Sequence, residues 1–106
     1  MGKDKIDQTL KIFVRRLRTE FNPENILLFG SYASGTANEY SDIDILVIAS
    51  SFKRLSFDER LSKLHRLAID LDPDVNAFGF TPDEVKKNAY ITTLRDALKT
   101  GRRIEY

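Results

Sequence analysis

Two aspartates, Asp42 and Asp44, stand two residues apart at the start of an apolar, β-branched run that ends at Ile48. Residues two apart in a β-strand point to the same face, so we expect the two carboxylates to project together. Two carboxylates held together repel one another, and a hard divalent cation removes that repulsion. Mg²⁺ favours a few carboxylate oxygens together with phosphate oxygens, so the pair predicts a Mg²⁺ site. Ser41, directly before the pair, is expected to support it with a hydrogen bond.

A phosphate-binding turn is predicted upstream of the aspartates, where Gly30 and Ser31 follow another apolar run. Glycine lets the backbone turn sharply and come close to a ligand. Free backbone N–H groups in such a turn, together with the Ser31 hydroxyl, can hold phosphate oxygens. We expect residues 31–37 to form a short helix whose N-terminus faces the phosphates and which Gly35 ends or bends. The turn and the carboxylates together favour a site for Mg²⁺ and a nucleoside triphosphate.

The apolar spacing predicts the elements that position these residues. An amphipathic helix is expected before Asn22-Pro23, and its apolar residues are Ile6, Leu10, Phe13, Val14, Leu17 and Phe21. Strands are expected over 26–29, 43–48 and 75–80, each a short run of apolar or β-branched residues.

Two capping boxes predict where later helices begin, one pairing Ser56 with Glu59 and the other pairing Thr81 with Glu84. The first of these helices is closed by Pro73. A last helix carries Ile91, Leu94 and Leu98 and stops at Gly101, and residues 104–106 add a short strand or a packed tail.

The predicted order is α-β-β-α-β-α-α, which indicates an α/β (or α+β) fold with a small sheet. We expect helices on one face of that sheet and a partly open second face where a ligand sits. The length of 106 residues predicts one domain over residues 1–106.

Composition excludes several classes of function. The chain has no cysteine, which excludes disulfides and thiolate metal sites, and its one histidine, His65, lies within a helical pattern that argues against a zinc site. The net charge of +1 does not support nucleic-acid binding by the whole chain, although Arg15-Arg16 and Arg102-Arg103 form local basic patches. No apolar run approaches the length of a membrane span and no signal peptide is recognisable, so we expect a cytoplasmic protein.

The spacing of the site residues resembles a known signature. Gly30-Ser31, ten intervening residues and Asp42-Ile43-Asp44 resemble the DNA polymerase β nucleotidyltransferase superfamily. The short chain is similar to its minimal nucleotidyltransferase (MNT) family, which includes antitoxins paired with small helical HEPN toxins. The resemblance implies transfer of a nucleoside monophosphate, expected to be AMP from ATP, to an acceptor hydroxyl. It also implies two Mg²⁺ ions held by three carboxylates, two of which are matched by Asp42 and Asp44.

The third carboxylate of that pattern is missing. The resemblance implies an aspartate on the strand before Thr81-Pro82, and Asn76 stands at that position. Asparagine can coordinate Mg²⁺ through its carbonyl oxygen but cannot take a proton from a hydroxyl. Asp74, two residues earlier, would enter the site after a small register shift, and Asp72 is a further candidate. Both are equally well explained as loop residues.

Two functions therefore stand beside each other. The first is an Mg²⁺-dependent nucleotidyltransferase that modifies a partner protein, as the antitoxin of a HEPN pair would, with the acceptor site completed by that partner. The second is a weak or inactive module that binds nucleotide or partner and neutralises a toxin by steric cover, which Asn76 favours. Transfer to a small molecule such as an aminoglycoside is disfavoured because no second domain is predicted, and a homo-oligomer is compatible with the apolar faces.

Overall fold

The computed structural model describes residues 3–87 and 92–105. Along the chain, the elements are α1 (Lys3–Phe21), β1 (Asn25–Phe29), α2 (Ser31–Ser34), β2 (Ile43–Ile48), a 3-10 helix (Ser50–Arg54), α3 (Phe57–Ala68), β3 (Val75–Phe80), α4 (Pro82–Lys87), α5 (Thr92–Thr100) and β4 (Arg102–Arg103).

The strands form one mixed sheet in the order β3-β2-β1-β4. Strand β1 runs antiparallel to both of its neighbours, and β2 runs parallel to β3. In this register Asp44 of β2 lies opposite Phe29 on one side and opposite Asn76 on the other. The mixed α/β fold is therefore confirmed. The terminal strand lies at Arg102–Arg103 rather than over 104–106, although the Ile104 N–H still donates to the Ile26 carbonyl at 2.8 Å.

One face of the sheet carries the larger part of the core. Alternate residues of β2, among them Ile43, Ile45 and Val47, are fully buried there, as the period-two geometry of a strand requires. Helix α1 supplies Phe13 and Leu17 to the same cluster, as its apolar spacing predicts, and α3 supplies most of the remaining cover.

The other face differs from the expectation that helices pack on one face alone. Leu94 and Ala97 of α5 are buried against Phe29, Leu46 and Ile48. The reason is that β2 presents large aliphatic residues on both faces, so the second face also needs cover from water. Leu94 is buried as a core residue of the last helix, Leu98 is 39% exposed, and Ile91 lies outside the described residues.

Both predicted capping boxes are present. The Ser56 hydroxyl accepts from the Glu59 N–H at 3.1 Å, while the Glu59 carboxylate accepts from the Ser56 N–H at 2.9 Å. Thr81 and Glu84 exchange the equivalent bonds at 3.2 and 2.7 Å. Each box satisfies N–H groups that the first turn of a helix leaves without an intrahelical partner.

In the second capping box, the carboxylate of Glu84 also binds the buried guanidinium of Arg60. Two bonds of 2.5 and 3.1 Å join them, and the side chain of Arg60 is 5% exposed. The same guanidinium donates to the carbonyls of Phe52, Leu55 and Gly79. Arg60 therefore links the 3-10 helix, α3, β3 and α4 at the end of the sheet remote from the aspartates. Its hydrogen bonds to the carboxylate hold the pKa of Glu84 below its ordinary value.

Among the described residues, no helix is both long and apolar enough to cross a membrane.

We expect Glu84→Ala to lower the free energy of unfolding by about 2 kcal/mol, since it leaves a buried guanidinium without its carboxylate. The value is below that of a fully buried pair because the side chain of Glu84 is 36% exposed and water screens its charge. Glu59→Ala is the matched control, because it removes an equivalent capping carboxylate that holds no buried cation. Urea unfolding followed by circular dichroism measures both, and equal losses in the two variants would contradict the role given to Arg60.

Candidate functional site

The carboxylate of Asp44 lies against the backbone of Gly30. A Cβ atom built on Gly30 would stand 2.2 Å from Oδ2 of Asp44, and Gly30 also has a φ of +72°. Both facts require glycine, since no side chain fits the space and L-residues rarely adopt that backbone angle. The pairing of Phe29 with Asp44 at the end of β1 brings the two residues together. The turn and the aspartates, which the sequence predicts as separate halves of a site, are therefore in contact.

The turn after β1 leads directly into helix α2. The N–H groups of Ala33 and Ser34 both donate to the Gly30 carbonyl at 3.1 Å, and the N–H groups of Ser31 and Tyr32 take no part in these bonds. The helix ends at Gly35, which adopts the left-handed conformation with a φ of +82°. The predicted short helix is thus present, ended by Gly35 as expected, although it stops at Ser34 rather than continuing to residue 37.

A hydrogen-bonded turn over residues 38–41 leads from α2 to the aspartates. The Asn38 side chain accepts from the Tyr40 N–H at 2.8 Å, and the Ser41 hydroxyl accepts from the Asn38 N–H at 3.0 Å. The Tyr32 hydroxyl donates to the Ser41 carbonyl at 3.4 Å and so ties the turn to α2. Ser41 therefore bonds to Asn38 and not, as the sequence predicts, to the aspartates. The reason is that its hydroxyl can reach a nearby backbone N–H group, which competes with more distant partners.

The third member of the site is Asn76. Its side-chain amide donates to Oδ2 of Asp42 at 2.9 Å, and its backbone lies opposite Asp44 in the parallel pairing of β2 with β3. Burial raises the pKa of Asp44 above its ordinary value, and the negative charge of Asp42 raises it further. A hydrogen bond from the Asn76 amide lowers this pKa in part. Asn76 therefore supplies a neutral hydrogen-bond donor beside two carboxylates that repel one another.

The other two acidic candidates lie elsewhere. Asp74 precedes β3, where its backbone carbonyl accepts from the Ile43 N–H at 2.8 Å while its side chain is exposed. The carboxylate of Asp72 forms an ion pair with Lys5 of α1, and its carbonyl accepts from the Thr9 hydroxyl. The observed register places Asn76, and not either aspartate, next to the pair.

Asp42 and Asp44 are the carboxylates of the site that could hold a divalent cation. Asp42 and Asp44 supply hard carboxylate oxygens, and Mg²⁺ is commonly held by one or two carboxylates with phosphate oxygens and water in its other positions. Within the described ranges, no group of three or more histidine, cysteine, aspartate or glutamate side chains is arranged to hold a metal. Asn76 can add a carbonyl oxygen but no third negative charge.

Comparison with known proteins identifies a family. Residues 10–99 match the family model of the nucleotidyltransferase domain. Over 72 residues the chain is 39% identical to protein adenylyltransferase MntA of Thermococcus cleftensis, a match that covers 64% of this chain and 73% of that protein. Over 82 residues it is 34% identical to a Methanocaldococcus jannaschii protein provisionally named a protein adenylyltransferase, and this match covers 69% of the chain but only 56% of that relative's length.

A solved structure shares the fold. The crystal structure of a toxin–antitoxin with AMP-PNP superimposes with a TM-score of 0.61 at 27% identity, over 97% of this chain and 72% of that chain.

Glycine is required at position 30 by the positive φ and by the lack of space for a Cβ atom, and substitutions separate these two effects. We expect Gly30→Ala to destabilise the protein by at least about 3 kcal/mol, because it combines an unfavourable positive φ with overlap against Asp44. Gly35→Ala is the matched control: its φ is also positive, but nothing lies within 4 Å of the added Cβ, so about 1 kcal/mol is expected. Adding Asp44→Ala to Gly30→Ala should recover the part caused by overlap. A double variant no more stable than Gly30→Ala in urea unfolding would show that the two residues are not in contact.

Burial of Asp44 predicts a pH-dependent cost to stability in the metal-free protein. Since its pKa is raised above the ordinary 3.8, the native state retains a proton that the unfolded chain releases, and stability falls as pH rises through that interval. Asp44→Asn cannot ionise, so it should be more stable than the wild type above the interval, with the difference vanishing below pH 3.8. Urea unfolding in EDTA across pH measures this difference. An Asp44→Asn variant less stable than the wild type at neutral pH would refute the assignment.

Proposed function

The chain belongs to the nucleotidyltransferase domain family and is an enzyme of the nucleotidyltransferase type, and from that premise we propose that it transfers AMP from ATP to a hydroxyl group of a partner protein with Mg²⁺ as cofactor. The observation that supports the proposal is the contact of Asp44 with Gly30, which places a carboxylate pair beside the turn that is predicted to bind phosphate. Relatives named protein adenylyltransferases support AMP as the group and protein as the acceptor. The toxin–antitoxin structure with AMP-PNP supports an adenine nucleotide as the substrate.

Each residue of the site has a role that follows from its chemistry. Gly30 lets the triphosphate approach the backbone, and the Ser31 hydroxyl with the adjacent N–H groups donates to phosphate oxygens. Asp42 and Asp44 hold Mg²⁺, which when bound neutralises charge on the triphosphate and favours departure of pyrophosphate. The side-chain amide of Asn76 keeps Asp42 in place by donating a hydrogen bond of 2.9 Å to its carboxylate.

The proton of the acceptor hydroxyl must go to a base other than Asn76, because a neutral amide does not accept it. Asp42, Asp44 and a residue of the acceptor protein are the candidates. We propose that this acceptor is the toxin of a toxin–antitoxin pair, of the small helical HEPN type, and that the chain acts as its antitoxin in the cytoplasm. The toxin–antitoxin neighbour supports a protein partner, and the MNT resemblance is what suggests the HEPN type.

A second function is favoured by one specific observation. Asn76 fills the position beside both aspartates with a neutral group, and its amide already bonds to Asp42. Such a site can bind a nucleotide without completing the transfer. The chain would then neutralise its partner by steric cover. A bound nucleotide would stabilise the complex, and no AMP would be transferred to the partner.

Incubation with labelled ATP, Mg²⁺ and the partner that co-purifies from the native source tests the proposed transfer. We expect an added AMP on the partner by mass spectrometry, and a loss of at least about 100-fold in rate for Asp44→Ala, since that variant removes a carboxylate proposed to hold Mg²⁺. Asp74→Ala, an exposed aspartate nearby, is the matched control and should retain the rate. Label transfer that is unaffected by Asp44→Ala would contradict the site.

Asn76→Asp distinguishes the two functions. If the wild type binds AMP-PNP but transfers nothing, and Asn76→Asp gains transfer, the protein is the steric module and its site lacks only a third carboxylate. If the wild type transfers AMP, the module interpretation is wrong. A wild type that neither binds AMP-PNP in calorimetry nor transfers label contradicts both functions.

A further inference from the structure

The two halves of the proposed nucleotide site are joined by residues 35–41, a connecting segment that forms neither helix nor strand. The turn at Gly30 and helix α2 lie before this segment, and Asp42 follows it. Strand pairing with Phe29 fixes Asp44, but Asp42 precedes the first residue of β2 and lies outside that ladder. The position of Asp42 relative to the turn therefore depends on how the connecting segment is held.

Hydrogen bonds fasten both ends of the connecting segment to the residues that open α2. At its start, the Thr36 N–H donates to the Ser31 carbonyl at 3.0 Å. At its end, the Tyr32 hydroxyl donates to the Ser41 carbonyl at 3.4 Å, directly before Asp42. The second bond is thus the one that reaches the metal-binding half of the proposed site.

Tyr32 belongs both to the phosphate half of the site and to the core. Its ring is half-buried and packs against the larger cluster of buried residues. It also follows Ser31 directly, and the Ser31 hydroxyl is proposed to hold phosphate oxygens. Because close packing restrains the ring, the hydroxyl at its tip has a narrow range of positions.

The carbonyl that accepts this bond is part of the backbone of Asp42. A peptide group is planar, so the Ser41 carbonyl and the Asp42 N–H lie in one plane and turn together. The Asn76 amide meanwhile holds the carboxylate of Asp42 at 2.9 Å. We propose that Tyr32 is a positioning residue whose hydroxyl sets Asp42 at the distance from Ser31 that a metal-bound triphosphate requires.

This inference rests on the proposed function, because the spacing of the two halves matters only when a metal ion and a triphosphate occupy them together. Binding of the metal and binding of the nucleotide are then coupled, and the coupling depends on how the halves are placed. Loss of the Tyr32 hydroxyl weakens that coupling and leaves each half otherwise intact. A hydroxyl with a structural role alone would change the free energy of unfolding and leave the coupling as it is.

Calorimetric titration of AMP-PNP, once in EDTA and once in Mg²⁺, measures the coupling as the ratio of the two affinities. Tyr32→Phe retains the aromatic ring and removes the hydroxyl. We expect it to lower the ratio at least about threefold, in line with the loss of one hydrogen bond, and to change the affinity in EDTA less than about twofold. Tyr40→Phe is the matched control, because it removes a hydroxyl from a tyrosine that is 85% exposed. Its ratio should stay within about 1.5-fold of the wild-type ratio.

Three results would overturn the proposal: a wild-type ratio in Tyr32→Phe, an equal weakening of its binding in EDTA and in Mg²⁺, or the same fall of the ratio in Tyr40→Phe. The first of these, beside strong coupling in the wild type, refutes the role of Tyr32 and leaves the proposed function in place. A wild type that does not bind AMP-PNP, or whose binding Mg²⁺ does not strengthen, counts against the proposed function and the role of Tyr32 together.

Discussion

The contact between the Asp44 carboxylate and the Gly30 backbone is the constraint on which the site depends. It places a negative charge within van der Waals distance of a turn that presents backbone N–H groups, and it leaves no space for a Cβ atom. Asp44 is partly buried there, and burial raises its pKa, so ionising its carboxyl group costs the fold stability. The cation and phosphate group that we propose for this site would offset that cost.

The sheet delivers this contact through its central strand. Because β2 lies between β1 and β3, its residue 44 meets the end of β1 on one side and Asn76 on the other. Burial on both faces fixes the register of β2, since a slip of one residue would place aliphatic side chains in the site and a carboxylate in the core. At the remote end of the sheet, Arg60 and Glu84 tie β3 to its flanking helices. Packing and an ion pair well away from the site therefore stabilise the strands that carry it.

Local patterns predicted most of this structure. Strands 43–48 and 75–80 and both capping boxes agree with the sequence because each depends on neighbouring residues alone. The sequence does not predict that α5 covers the second face of the sheet. The position of α5 depends on long-range packing against β2. The sequence predicts a hydrogen bond from the Ser41 hydroxyl to the aspartates, whereas the structure pairs this hydroxyl with Asn38 in a local turn. The bond of Asn76 to Asp42 has no local signal in the sequence, because it depends on the pairing of two strands from distant segments.

The central claim is that Asp42 and Asp44 hold a divalent cation while the turn at Gly30 and Ser31 holds the phosphates of an adenine nucleotide. A crystal structure with AMP-PNP and Mn²⁺, read from the anomalous scattering of manganese, tests it most directly. The account predicts an anomalous peak coordinated by both carboxylates, with the triphosphate against Gly30 and Ser31. A nucleotide bound elsewhere, or a manganese peak away from the two aspartates, would contradict it.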